Sequence, residues 1–435
     1  MKKITLCTLL VVSLIAGCLK RESMIKESGM KAENSDLVKD WITVQLLVIK
    51  NTSGVQHIAY SRHFAYTGIA LYEALVNGDN RYRSIAGQLN AGIQIPEVPN
   101  GKPLYWPAAA NAAVAEMLRF FYSAKASNLQ SIDSLEHIYD NKYINQAGNG
   151  RDVPGAVQYG KQVAEAVIEW SKLDGSNNAG ISYTQLGEGY WEPTPPGFGP
   201  AAVPGWGNNR PVISGSQHNT IPAAPVAFSK VIGSLFYNMV KELYVISQSL
   251  TVEQKAIATF WDDAPNGKYL TVFGHWFSIL KQVIEKDKPE LMKAAEAYLR
   301  LGITMNESSI SCWKAKYTYN LLRPVTYIRN FMGYANWNSF IGTPPHPEYS
   351  AAHATLSASA GYALESIFGR NYRFTDHSYD ILGMSPRTFP GFEAAGIEAG
   401  MSRLYGGIHY RSSIEVGNTQ GKKVGENVKK LLKTK

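Results

Sequence analysis

The sequence predicts an all-α fold on three observations. Apolar residues recur at three- and four-residue spacing over long stretches of the 435 residues, the pattern that puts one apolar stripe on a helix. Strand-like alternation bounded by turn pairs is scarce. Apolar types make up 45 % of the chain and aromatics 11 %, with only 18 % charged. That leaves enough surface to bury a large core and excludes a disordered chain.

Taken in order, Met1-Lys2-Lys3 is a short basic start, followed by the apolar stretch Ile4 to Ile15, too short to span a bilayer. It ends in Ile15-Ala16-Gly17-Cys18, which resembles a bacterial lipobox. The resemblance implies a signal over 1–17, cleavage before Cys18 and lipidation of its thiol, placing the protein at the cell envelope on the outer membrane or the periplasmic face. An ordinary secretory signal is the alternative. Loss of Lys2 and Lys3 would take the formal charge from +8 to +6. Of the three cysteines, Cys7 would leave with the signal and Cys18 would be acylated. Cys312 would remain as the single thiol, so no disulfide framework is expected. Residues 18–36 are polar and read as a flexible tether to the membrane, and 37–435 as a single large domain.

Helical patterning then runs through Trp41–Val48, Val55–Val76, Pro107–Tyr122 and Val163–Leu173. Residues 174–225 break it with dense Gly and Pro, including Gly189-Tyr190-Trp191-Glu192-Pro193-Thr194-Pro195-Pro196 and Pro204-Gly205-Trp206-Gly207. A loop this long inside a compact domain is usually functional, and its aromatics suggest that it packs down over something. Helices resume at Ser234–Gln248 and Thr251–Trp261, then Val272–Glu285, Pro289–Tyr319, Tyr349–Phe368, Phe392–Leu404 and Ile414–Leu432. No basic run exceeds the terminal Lys429, Lys430, Lys433, Lys435 group, so the charge points to no nucleic-acid partner.

Three segments carry chemistry. In Lys316-Tyr317-Thr318-Tyr319-Asn320-Leu321-Leu322-Arg323-Pro324, seven residues are nearly two turns. That spacing would put Lys316 and Arg323 on one helix face, with Pro324 turning Arg323 off the helix end. In Pro344-Pro345-His346-Pro347-Glu348-Tyr349-Ser350-Ala351-Ala352-His353, prolines keep the lead-in extended and His353 opens a helix whose first amides can seat an anion. In Ser402-Arg403-Leu404-Tyr405-Gly406-Gly407-Ile408-His409, Arg403 ends a helix and the glycine pair presents His409 beyond a sharp turn. Taken singly, each cation could be a snorkelling surface residue and each histidine a cap or packing group.

Together the three resemble the superfamily of type-2 phosphatidic acid phosphatases and vanadium haloperoxidases, whose pattern is K-x6-R-P, P-S-G-H and S-R-x5-H-x3-D. Trp191-Glu192-Pro193-Thr194-Pro195-Pro196 with Trp206-Gly207, and Phe260-Trp261-Asp262-Asp263 with Gly274-His275-Trp276, are similar to the soluble haloperoxidase branch. The resemblance spans roughly 40 to 435 and implies a large helical bundle with an oxyanion site within 310–415. In it, Lys316, Arg323 and Arg403 surround the anion and the amides of Ala352 and His353 complete the cradle. His353 acts as acid–base group and His409 binds axially. His346 would tune halide use and Asp263 would hold Arg403.

Two of the motifs depart from the pattern. Ser350, Ala351 and Ala352 replace Pro, Ser and Gly of the second motif, removing a hydroxyl from the cradle. Ser413 stands where the third motif has the Asp that orients the histidine, and a hydroxyl cannot stabilise an imidazolium as a carboxylate does. The reading favoured is halide oxidation by peroxide with vanadate on His409 as cofactor. The alternative is a phosphatase that needs no cofactor and hydrolyses phosphate esters through a phosphohistidine at His409. A third reading is a catalytically silent surface lipoprotein, against which stands the cost of burying three cations with no anion. The remaining histidines lack metal-ligand spacing, so a zinc site is not expected. Membrane contact would be through the lipid alone, and the oligomeric state stays open, a homo-oligomer included.

Overall fold

The computed structural model describes residues 33–264 and 266–435. The signal segment 1–17, Cys18 and the tether up to residue 32 lie outside the described residues. At its start the described chain is tied down. Glu33 accepts a hydrogen bond from the Tyr105 hydroxyl at 2.6 Å, its carbonyl accepts from the Leu291 amide at 3.1 Å, and a helix begins at Asp36.

Five helices form the N-terminal half: α1 (Asp36–Asn51), α2 (Tyr60–Val76), α3 (Trp106–Tyr122), α4 (Ala126–Gln146) and α5 (Val153–Ser171). The periodicity missed α4 because its inward face is partly polar, with Asn128 and Glu136 buried beside Ile132, Tyr139 and Tyr143, while Ile138 and Ile144 point outward. Helix α5 starts ten residues before the expected Val163, where the Asp152 side chain caps the Gly155 amide at 2.9 Å.

After the loop come α6 (Leu235–Gln248), α7 (Val252–Phe260) and α8 (Thr271–Asp287). Helix α7 opens with a capping box between Thr251 and Gln254. The 29-residue α9 (Leu291–Tyr319), about 44 Å long at 1.5 Å per residue, is the spine. It packs against α2 on one side and against the C-terminal helices on the other. The C-terminal helices are α10 (Pro324–Phe331), α11 (Ala352–Phe368), α12 (Phe392–Tyr405) and α13 (Arg411–Leu431); α9 meets α11 and α13 among them, and α11, α12 and α13 pack on one another. The one departure from all-α among the described residues is a small antiparallel hairpin, β1 (Phe374–Asp376) with β2 (Arg387–Phe389). The α11–α13 seam is close because Gly421 has no side chain: a Cβ there would lie 2.0 Å from the Thr355 carbonyl oxygen. No helix of the described residues is long and apolar enough to cross a membrane.

The 174–225 loop is packed, not linking. Trp191 and Trp206 are buried, and Trp206 Nε1 donates to Ser309 Oγ of α9 at 3.0 Å. Buried Glu307, also on α9, accepts from the amides of Val212 at 2.5 Å and Ile213 at 3.3 Å, from Ser216 Oγ at 2.5 Å and from Gln217 Nε2 at 2.8 Å. The Val212, Ile213 and Gln217 partners can only donate and favour the carboxylate, while burial pushes Glu307 up to about 7. In Glu307→Gln one N–H faces other donors, at a cost of about 2 kcal/mol. The expected outcome is a lowered Tm and faster limited proteolysis within 210–220, read by calorimetry and mass spectrometry.

Candidate functional site

The C-terminal end of α9, the N-terminal end of α11 and the α12–α13 junction meet around a cavity of about 370 Å³. Its lining includes His346, Ala352, His353, Arg403 and His409, with Asp262 and Asp263 from the segment after α7. The long loop forms part of the wall through Ala202 and Val203. Ala202 is held there by its amide on the Pro345 carbonyl at 2.8 Å, and its own carbonyl accepts from Tyr317 at 2.7 Å and Trp313 at 3.2 Å.

The expectation that Lys316 and Arg323 share one helix face is corrected. Helix α9 stops at Tyr319, where Asn320 adopts a left-handed conformation with φ of 48°. Arg323 is extended, with ψ of 153°, as the N-cap of α10, the restriction that Pro324 imposes. Buried Lys316 spends all three protons on backbone carbonyls, those of Pro347 at 2.8 Å, Glu348 at 3.0 Å and Ser350 at 2.7 Å. In this arrangement it braces the segment around the cavity and offers the cavity no free N–H. Burial pulls its pKa down.

Arg323 donates through Nε to the His346 carbonyl at 2.8 Å and through Nη2 to His346 Nδ1 at 2.9 Å. Its Nη1 reaches the Ile408 carbonyl at 3.0 Å and His409 Nε2 at 3.1 Å. Arg403 donates Nη1 to the Trp261 carbonyl at 2.6 Å, while its buried Nε has no partner. Burial lowers both arginines to about 10, so each stays cationic at neutral pH. The first-turn amides of Ala352 and His353 find no backbone acceptor, whereas the Ala351 amide donates to the Ser413 carbonyl at 3.2 Å.

The tautomer of His409 follows from its partners. Arginine can only donate, so Nε2 must carry the lone pair and Nδ1 the proton. That proton goes to Glu348 Oε1 at 2.8 Å. Glu348 also accepts from the Tyr410 amide at 3.0 Å and, through Oε2, from Ser413 Oγ at 2.7 Å. Ser413 therefore bonds the carboxylate and not the ring. The carboxylate that the third motif lacks is supplied from the second segment, 61 positions earlier in the chain. Burial, together with Arg323 and Lys316, holds His409 well below the usual histidine range. Burial also pushes Glu348 up, against the pull of Ser413, Arg323 and Lys316. Glu348 was not among the residues that the motif pattern singled out; only its place between two histidines could have drawn attention to it.

Asp263 does not hold Arg403, contrary to expectation. Its Oδ2 faces His353 Nε2 at 3.4 Å with no hydrogen bond between them; a proton on that nitrogen would point at the carboxylate and leave Nδ1 as the base. Burial and Arg403 lower His353 to about 3. His346 stacks obliquely on Trp313, ring centroids 5.0 Å apart. His57, from a short 3-10 turn over 57–59, also lines the cavity, and no motif pointed to it.

The donor set suits a tetrahedral oxyanion: two cationic arginines, an unpartnered Arg403 Nε, helix-start amides, and a proton-free His409 Nε2 that would have to exchange its hydrogen bond from Arg323 for a metal. These residues fit vanadate. Such a site on a two-bundle helical fold defines an oxyanion-dependent oxidoreductase or phosphoryl-transfer enzyme. A family model described as the VCPO second helical-bundle domain matches residues 296–435. The structure is similar to that of the first bacterial vanadium-dependent iodoperoxidase, with a TM-score of 0.84 and 32 % identity over 92 % of this chain and 97 % of that one. It also shares its fold with the holo and apo forms of a bacterial vanadium-dependent chloroperoxidase. Their TM-scores are 0.63 and 0.62 at 16 % identity, over 87 % and 88 % of this chain and 93 % and 96 % of theirs. No curated protein sequence matches. The chain belongs to the vanadium-dependent haloperoxidase family.

Because Glu348 fixes the His409 tautomer, its loss should weaken vanadate binding. Glu348→Gln is expected to bind vanadate about 10–100-fold less tightly by isothermal titration calorimetry, with helical circular dichroism retained. An unchanged affinity would remove Glu348 from this role.

Proposed function

We propose that the protein is a vanadate-dependent peroxidase that oxidises halide with hydrogen peroxide, iodide foremost, releasing hypohalous acid and water. The observation that carries the reading is His409, neutral and buried, with its Nδ1 proton fixed on Glu348 and its Nε2 lone pair turned to Arg323. The likeness to an iodoperoxidase over nearly the whole chain supports the choice of halide.

His409 Nε2 would hold the metal, and Arg323, Arg403 and the amides of Ala352 and His353 would neutralise and orient the oxyanion. Vanadate, when bound, supplies a Lewis acid that activates peroxide toward a halide nucleophile. His353 Nδ1 takes a proton from incoming peroxide, while Asp263 keeps the ring's other proton on Nε2. Overall, peroxide, halide and one proton give hypohalous acid and water. Lys316 contributes positive field and holds the 347–350 backbone in place. The apolar wall made by Val272, Phe273, Trp313 and Leu356 limits water around the anion, which strengthens each of these interactions.

The Glu348–His409 pair would also suit a nucleophilic histidine, so phosphate-ester hydrolysis is the reading to test beside this one. The lipobox-like Ile15–Cys18 supports a lipid-anchored place at the cell envelope.

The deciding assay uses purified, vanadate-free protein, measuring iodide and bromide oxidation with and without added vanadate, and aryl-phosphate hydrolysis in parallel. Vanadate-dependent iodide oxidation, lost by at least 10³-fold in His409→Ala, is the expected outcome. Hydrolysis that vanadate inhibits, without halide oxidation, would replace this function with the phosphatase.

A further inference from the structure

Asp263, which lines the cavity beside His353, is backed by two buried charged groups, His275 and Asp376, that the chemistry above leaves without a role. Asp263 Oδ1 accepts from His275 Nδ1 at 3.0 Å and from the Tyr379 hydroxyl at 2.5 Å. The other nitrogen of His275, Nε2, lies 2.8 Å from Asp376 Oδ2. Asp376 Oδ1 in turn accepts from the Ser378 amide at 2.9 Å, its hydroxyl at 2.6 Å and Gln282 Nε2 at 3.3 Å. Asp263, His275 and Asp376 have no solvent exposure. They come from three places in the chain: the turn after α7, the first turns of α8 and the strand β1.

A neutral imidazole has one donor and one acceptor. A ring with a carboxylate oxygen at each nitrogen must donate twice, so His275 is an imidazolium. Burial alone would pull its pKa down, but Asp263 and Asp376 raise it to about 10. Trp261 stacks on it with centroids 4.4 Å apart, covering the face of the cation. Asp263, despite its burial, is held well below the usual carboxylate range by His275 and His353. Its remaining oxygen, Oδ2, faces His353 Nε2 at 3.4 Å, and neither atom has a hydrogen-bond partner. The other charged or titratable groups acting on His353 are Arg403 and His57, and Asp262 stands beside Asp263.

We propose that His275 and Asp376 form a charged clamp that positions Asp263, and that through it the clamp sets the tautomer and basicity of His353. The inference rests on His353 being the acid–base group of the proposed reaction. With its charge offset by the imidazolium, Asp263 accepts the Nε2 proton without drawing a second proton onto the ring. Take the cation away and the full carboxylate charge acts on His353, favouring its protonated form and closing Nδ1 as a base. The clamp also fixes which Asp263 oxygen faces the ring. As a stability device such a row is poor, since desolvation offsets most of what the charges gain. Its effect on His353 is what a purely structural cluster would not produce.

The test uses two readouts on His275→Gln. Histidine proton–nitrogen NMR on the vanadate-free protein should show wild-type His275 doubly protonated through pH 8. In the variant, the His353 titration should move upward by about one pH unit. In the vanadate-loaded enzyme, the acid limb of the iodide-oxidation profile should move upward by the same amount, about a tenfold loss of rate on that limb. Where the single variant leaves two buried carboxylates uncompensated and does not fold, His275→Gln with Asp376→Asn removes one charge of each sign and carries the same test. A His275 that titrates near its ordinary value, or a folded variant whose His353 titration stays where it was, overturns the clamp. If the wild-type protein oxidises no halide, the NMR arm still decides the clamp, so that failure stays distinct from failure of the proposed function.

Discussion

The site depends on one constraint: Lys316 and Arg323 are buried cations at the crowded end of α9 and must be solvated by the protein itself. Four consecutive-region carbonyls do this, those of His346, Pro347, Glu348 and Ser350. A helix or strand would have committed those oxygens to its own ladder. The prolines at 344, 345 and 347 keep the segment out of both, and their missing N–H groups leave nothing further to satisfy. Once this short stretch is pinned to two cations, the Glu348 side chain has one place to go, and that place is His409. The extended backbone, the buried charge and the orientation of His409 are thus one solution to one desolvation problem.

The same logic explains why two motif departures coexist with an assembled site. Ser413 is too short and uncharged to orient His409, but it can donate to a carboxylate, and it donates to Glu348. The Ala351 position lacks a hydroxyl, yet its amide anchors the strand of chain to Ser413 while the next two amides stay free. The missing acid was not lost from the site; it reaches the histidine from another segment. At the second motif the donors left are backbone amides, with no side-chain hydroxyl from Ala351 beside them.

The sequence made much of this legible, and the limits have physical causes. Apolar-rich helices such as α2 could be read from spacing, and the second and third motif segments do line one cavity, with Arg323 of the first bonded to His346 and His409 in its wall. The polar inner face of α4 hid that helix from the same reasoning. The break at Asn320 hid the true relation of Lys316 to Arg323, because a single left-handed residue leaves no periodic trace. Asp263 was recognised as part of the site but matched to Arg403, since a sequence offers sign of charge and not direction. Glu348, His57 and the His275–Asp376 pair act through contacts between distant segments, which no local pattern encodes.

Those distances have a consequence for how the molecule comes into being. Glu348 and His409 are 61 positions apart, His275 and Asp376 101, Asp263 and Tyr379 116, and Trp261 and Arg403 142. Each pairing closes a long loop whose entropy must be spent before the contact returns anything. Helices can form from neighbouring residues well before these segments meet. The hairpin bearing Asp376 must dock before His275 has both its carboxylates. The chain can therefore hold most of its secondary structure while its reactive centre is still unassembled, and competence marks the last stage of folding.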